Sequence, residues 1–82
     1  MDSTVYILYS EKLDRFYIGH TAEKISERVR KHNSNHKGYT GKANDWELKY
    51  QEAFPSKKEA YSRERQIKAK KSRKFIEELI AG

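Results

Sequence analysis

The chain contains no cysteine, a single proline and four glycines, and none of its apolar runs is long. Without cysteine there is neither a disulfide framework nor a cysteine-ligated zinc site, which fits an intracellular, cytoplasmic setting. A membrane-spanning helix needs roughly 18 or more apolar residues in a row, and no stretch approaches that. The first residues also lack the basic, apolar and small-residue succession of a secretory leader. Hydrophobic residues make up only 35% of the 82. A single small domain over residues 1–82 is therefore expected, with a thin core built largely from aromatics and no membrane partner.

What the chain has in excess is positive charge. Its formal net charge is +6, which predicts a polyanionic partner. The charge is concentrated. Lys57, Lys58, Arg63, Arg65, Lys68, Lys70, Lys71, Arg73 and Lys74 fall in one window whose only acids are Glu59 and Glu64. Such a run serves either as a solvated helix face or as a phosphate-binding surface. Its confinement to one window, with the rest of the chain near neutral, favours the second.

Most of the organisation comes from residues 5–32. Val5-Tyr6-Ile7-Leu8-Tyr9 and Phe16-Tyr17-Ile18-Gly19-His20 are β-branched and aromatic runs separated by a polar turn, the signature of a β-hairpin. Strands are expected over about Thr4–Tyr9 and Arg15–His20. Alternation puts Tyr6 and Leu8 on one face and Val5 and Ile7 on the other, so the first strand should be central. Tyr17 and Gly19 point one way, Phe16 and Ile18 the other. A helix over about Ala22–His32 follows, with Thr21 as its N-cap, Ile25 and Val29 as its buried stripe, and Arg28 and His32 stacked four residues apart.

Residues 33–45 read as a long loop carrying His36, Lys37, Tyr39 and Lys42, a cation and aromatic mixture that suits a nucleic-acid strand as well as it suits a connector. A third, edge strand is expected over Trp46–Phe54, with Trp46, Leu48, Tyr50 and Phe54 on one buried face. Pro55 ends it, and Ser56-Lys57-Lys58-Glu59 is a capping box that starts a second helix. Ser72 caps a third helix, with Phe75, Ile76, Leu79 and Ile80 as its stripe. The second helix turns Ala60, Glu64 and Ile67 inward. A carboxylate on an apolar stripe needs a partner. It is either paired with Arg28 or a nearby lysine, or it is a lone metal ligand.

Taken together these features resemble the GIY-YIG endonuclease domain, most of all its short stand-alone bacterial members. The first motif stands here as Thr4-Val5-Tyr6 and the second as Tyr17-Ile18-Gly19. Arg28 and His32 follow at the expected spacing, and Glu64 lies on the second helix. The likeness spans nearly the whole chain. Thr4 replaces the first motif's glycine, and no asparagine follows Glu64 where some family nucleases carry one. The fold implied is α/β, a three-stranded and mainly antiparallel sheet in the order β-β-α-β-α-α.

The resemblance implies a Mg²⁺-dependent (or other divalent-cation-dependent) endonuclease acting on DNA, as a monomer, in DNA repair or recombination. It assigns Tyr6, Tyr17, Arg28 and His32 to catalysis and Glu64 to the metal, all bordering one site. Tyr6 would act as general base, its phenolate favoured by Arg28 and the metal, with His32 able to take the phenol's proton. Sequence leaves open which tyrosine is the base. The DNA-binding candidates are Lys37, Lys42, Arg63, Lys68, Lys70, Lys71 and Lys74. The blander alternatives are that both tyrosines are core residues and that His32 merely completes a helix C-terminus. A catalytically silent nucleic-acid-binding module, and an adaptor for an acidic protein, are the competing functions.

Overall fold

Val5, Tyr6, Ile7 and Leu8 are all fully buried, so the first strand carries apolar groups on both faces and needs a layer on each. That requirement fixes the architecture of the computed structural model, which describes residues 2–34 and 40–82. The elements are β1 (Ser3–Ser10), β2 (Arg15–Thr21), α1 (Ile25–Ser34), a 3-10 turn (Thr40–Lys42), β3 (Glu47–Phe54), α2 (Lys57–Ala69) and α3 (Arg73–Ala81). The sheet order is β2-β1-β3 with both pairs antiparallel, and β1 is central as its two apolar faces require. This is the α/β arrangement, β-β-α-β-α-α, that the sequence predicts.

On one face Val5, Ile7 and Ile18 pack with Ala60 and Ile67 of α2, and Phe75, Ile76, Leu79 and Ile80 of α3 close over them. On the other face Tyr6 and Leu8 pack with Ala43 and Trp46, flanked by Tyr17, Leu48 and the α1 residues Ile25 and Val29. The sheet is thus a middle layer. Both later helices start where expected. Ser56 Oγ accepts from the Glu59 N–H at 3.3 Å, and Ser72 Oγ from the Phe75 N–H at 3.2 Å.

Three expectations are corrected. The third strand does not keep one buried face. Ile7 pairs with Tyr50 but Leu8 pairs with Leu48, so Lys49 is an extra residue at a β-bulge. The bulge reverses the alternation: Trp46 and Leu48 join the Tyr6 face, while Tyr50 and Phe54 join the Val5 face. Thr21 does not cap α1. Its Oγ1 accepts from the Glu23 N–H at 3.2 Å, closing a short turn, and the helix begins later at Ile25. Finally, the loop read over 33–45 is partly regular: Asn33 and Ser34 belong to α1 and Thr40–Lys42 form a 3-10 turn, and its described parts are tied to the sheet. Asn33 brackets the Trp46 backbone, accepting from its N–H at 2.8 Å and donating to its carbonyl at 3.1 Å. The Asp45 carboxylate accepts from Ser10 Oγ at 2.6 Å and from the Lys12 N–H at 2.9 Å. Lys37, with His36 and Tyr39, lies outside the described residues. Among the described residues no helix is long and apolar enough to cross a membrane.

Candidate active site

The Tyr6 side chain leaves β1 on the α1 face and crosses the neighbouring strand at Gly19, its register partner. A methyl group on Gly19 would stand 2.7 Å from Tyr6 Oη and 2.9 Å from Cζ, so the tyrosine occupies the space that any other residue's Cβ would need. From above, α1 supplies two groups one turn apart. His32 Nε2 lies 2.8 Å from Tyr6 Oη, and Arg28 Nε donates to the same oxygen at 3.3 Å. Tyr17 completes the cluster, its ring 4.8 Å from the His32 ring and 6.3 Å from that of Tyr6. The four residues that the resemblance assigns to catalysis therefore come from three elements to one place.

The electrostatics define what this cluster can do. Burial pushes the Tyr6 phenol above its ordinary value, and the Arg28 hydrogen bond and charge recover only part of that. The expected phenolate is therefore not favoured by the protein: desolvation outweighs the guanidinium. Burial, and then the charge of Arg28, lower His32 below the usual imidazole value. A neutral imidazole fits the geometry. Arg28 donates to one Tyr6 lone pair, and with the imidazole proton on Nδ1 the hydroxyl hydrogen points at His32 Nε2. The result is a phenol whose proton already has an acceptor. Arg28 is itself steadied by Glu23, 3.5 Å away.

Glu64 comes from the opposite layer. The expectation that Glu64 borders one site with the other four is corrected: it is buried on α2 between Ala60 and Ile67, in the layer opposite Tyr6, because α2 packs on the Val5 face of the sheet. It does not pair with Arg28. His20 Nδ1 lies 2.6 Å from its Oε1, and Lys68 Nζ donates to its Oε2 at 2.8 Å. Burial works to raise the carboxyl's pKa, but the Lys68 and His20 hydrogen bonds prevail and hold it below the usual carboxylate range. Between the two layers lies β2, an edge strand, with Gly19 carrying no side chain. The Glu64 charge reaches the Tyr6 phenol, where it acts to raise the pKa.

As a metal site this is sparse. Among the described residues no three His, Asp or Glu side chains gather. One carboxylate fits a hard ion such as Mg²⁺ that keeps its waters and takes further oxygens from a phosphate; it does not fit a closed, all-protein site. Glu64 would hold such an ion only by exchanging its bond to Lys68.

His20 was absent from the sequence-based site. The signal was available: alternation puts His20 on the Ile18 face, the one that receives the α2 stripe carrying Glu64. The basic candidates divide. Arg63 is drawn onto Glu52 of β3 at 3.2 Å, and Lys68 onto Glu64. Lys70 lies over the Phe75 ring, 5.5 Å from its centroid. Lys42, Lys71 and Lys74 are exposed. Next to Tyr17, a groove of ≈ 410 Å³ between β2 and the α2–α3 link is lined by Arg15, Tyr17, Lys68, Lys71 and Arg73, with Asp14 as its acid.

Comparison with known proteins places the chain beside a family and a solved structure. Residues 2–76 match the model of the GIY-YIG catalytic domain. The solution NMR structure of the UPF0213 protein BH0048 from Bacillus halodurans is similar at a TM-score of 0.59 and 31% identity, covering 99% of this chain and 84% of that one. No curated protein matches the chain.

Proposed function

The chain belongs to the GIY-YIG family of nuclease domains, and on that premise we propose that it is a Mg²⁺-dependent endonuclease hydrolysing DNA phosphodiester bonds, in repair or recombination. The observation that carries this reading is the Tyr6 hydroxyl held between Arg28 Nε and His32 Nε2. A buried structural tyrosine needs one hydrogen-bond partner. This one has a cation on one side and a neutral base on the other.

In the proposed reaction a water oxygen attacks phosphorus and the bond to the leaving oxygen breaks. Tyr6 is fully buried, so the water reaches its Oη where the half-exposed Arg28 leaves it to bind the phosphate. The water's proton then passes to Tyr6 Oη as the phenol's own proton passes to His32 Nε2, and no free phenolate is required. Arg28 binds the non-bridging phosphate oxygens, where a guanidinium fork suits two of them. Tyr17 orients the phosphate from the side of the groove. Glu64 would hold the divalent ion in exchange for its present bonds, and the ion would then supply stabilisation of charge on the phosphate and the leaving oxygen. Lys71 and Arg15 track the backbone away from the site.

One observation favours a silent nucleic-acid-binding module instead: both Glu64 oxygens are already engaged by His20 and Lys68. The two readings part in one experiment. The purified protein is incubated with single-stranded, duplex and branched DNA, with Mg²⁺ or with chelator. Cleavage only with Mg²⁺ supports the nuclease. Binding without cleavage under every condition supports the silent module.

A further inference from the structure

We propose that Tyr61 is a stacking platform for an unpaired nucleobase, with Lys57 and Lys58 holding the adjoining phosphates, so that the nucleic acid is bound with a single-stranded segment beside the site. This rests on the nucleic-acid reading above and adds the class of substrate.

Tyr61 is the one large hydrophobic side chain left exposed among the described residues, at 47%. A lone exposed tyrosine needs no explanation. Its surroundings supply one. It lines a shallow hollow of ≈ 610 Å³ together with His20, Lys57 and Lys58, and none of the four is an acid. Lys57, Tyr61 and Arg65 are spaced four apart on α2 and so form one ridge. The Arg65 guanidinium lies over one face of the ring, 5.7 Å from its centroid, so a base would stack on the other face.

Lys57 and Lys58 occupy the first turn of α2, whose N-terminal end Ser56 and Glu59 already cap. A phosphate of the strand would therefore be met by the two ammonium groups rather than by the helix end. An aromatic face among cations, without a surrounding apolar patch, suits a base and its phosphates better than it suits a protein partner.

The hollow also adjoins the site. The His20 ring meets Tyr61 edge-on at 5.5 Å between centroids, and the same His20 bonds Glu64. A base on Tyr61 would belong to a nucleotide close to the scissile phosphate. Full pairing would deny the ring its base, so the preferred nucleic acid has a tail, a gap or a branch here.

The test is binding in EDTA, where no cleavage occurs, to a duplex with a single-stranded tail containing 2-aminopurine and to the same duplex blunt-ended. Wild-type protein should quench the tail's fluorescence and prefer the tailed DNA. Tyr61→Phe should keep both properties. Tyr61→Ala should abolish the quench and weaken tailed-DNA binding by about 5- to 150-fold, the worth of one stacked base, with blunt binding unchanged. Lys58→Ala should weaken tailed binding and lower its salt slope by about one. If Tyr61→Ala binds the tail like wild type, or loses tailed and blunt DNA equally, the platform is refuted while the nuclease reading stands. If wild type binds neither DNA, the nucleic-acid reading fails with it.

Discussion

Replacing Gly19 by alanine tests whether the Tyr6 position depends on a missing side chain. The new Cβ would lie 2.7 Å from Tyr6 Oη and 3.1 Å from Tyr17 Cε2. Ordinary contact begins near 3.4 Å, so the hydroxyl must retreat by about 0.7 Å, the difference between the two distances. Tyr6 is fully buried, so it has no solvent to retreat into. Overpacking of this kind costs about 1–3 kcal/mol. Strain on the bond to His32 adds up to about 1 kcal/mol. For 82 residues the total stability is on the order of 4–12 kcal/mol. A melting temperature lower by roughly 4–24 °C is expected for the packing term alone. Catalysis should suffer more, because displacing a reacting group by about 1 Å costs up to about 10²-fold. The assay is a thermal melt and a cleavage rate for Gly19→Ala, alone and with Tyr6→Phe. Removing the hydroxyl takes away the closest clash, so the second change should recover part of the stability and none of the activity. A Gly19→Ala protein that melts and cleaves like wild type would refute the account of how Tyr6 is placed.

The remaining expectations concern charge. His32 is buried and neutral with its pKa below the ordinary value of about 6.5. Its stabilising contribution is complete above that value and is lost as pH falls towards its lower folded value, so denaturant melts should show acid destabilisation that His32→Gln removes. If His32 accepts the Tyr6 proton, the acid limb of the cleavage profile should also fall below pH ~6.5; a limb well above it would contradict a depressed imidazole. Lys68→Met should tighten Mn²⁺ binding measured by calorimetry, since it frees Glu64 Oε2, and should change stability by at most about 1 kcal/mol because the ammonium is half exposed. Weaker Mn²⁺ binding would mean that Lys68 supports the site. Arg15→Ala and Lys71→Ala should each lower the salt slope of DNA binding by about one and leave the melt unchanged. An unchanged slope would remove the groove from the binding surface.

Much of this was legible because pattern and packing agreed. The run Val5–Leu8 is apolar in both phases, and only a central strand accommodates that. The Ser56 and Ser72 caps are local chemistry and hold wherever the chain goes. What failed was set by distant partners. The bulge at Lys49 depends on how β3 meets β1, and the apolar alternation from Trp46 to Phe54 hides it, because each half is regular and only the phase changes. The start of α1 was misread because Thr21 has two ways to use its hydroxyl, and the turn to Glu23 won. In the site, Tyr6, Arg28 and His32 followed from strand phase and helical spacing. The partners of Glu64 did not, because Arg28 on α1 and a lysine on its own helix competed until the layers were stacked, and a strand histidine across the layer was missed. The sign of the Tyr6 shift was also out of reach. It turns on a competition between burial and one guanidinium, and burial is not written in the residue types.

The central claim is that Tyr6, His32 and Arg28 on one side of β2 and Glu64 on the other form a single hydrolytic centre. Glu64→Gln tests it most directly, with single-turnover cleavage of DNA in Mg²⁺ and DNA binding measured on the same preparation. The substitution nearly keeps the volume and removes the charge. It also weakens the bonds to His20 and Lys68, for which a loss of about 1–3 kcal/mol is expected, so the assay is run well below the melting transition. Wild type should cleave only with Mg²⁺, and Glu64→Gln should bind DNA as well or better while its cleavage falls below detection. Cleavage by Glu64→Gln at the wild-type rate would contradict it.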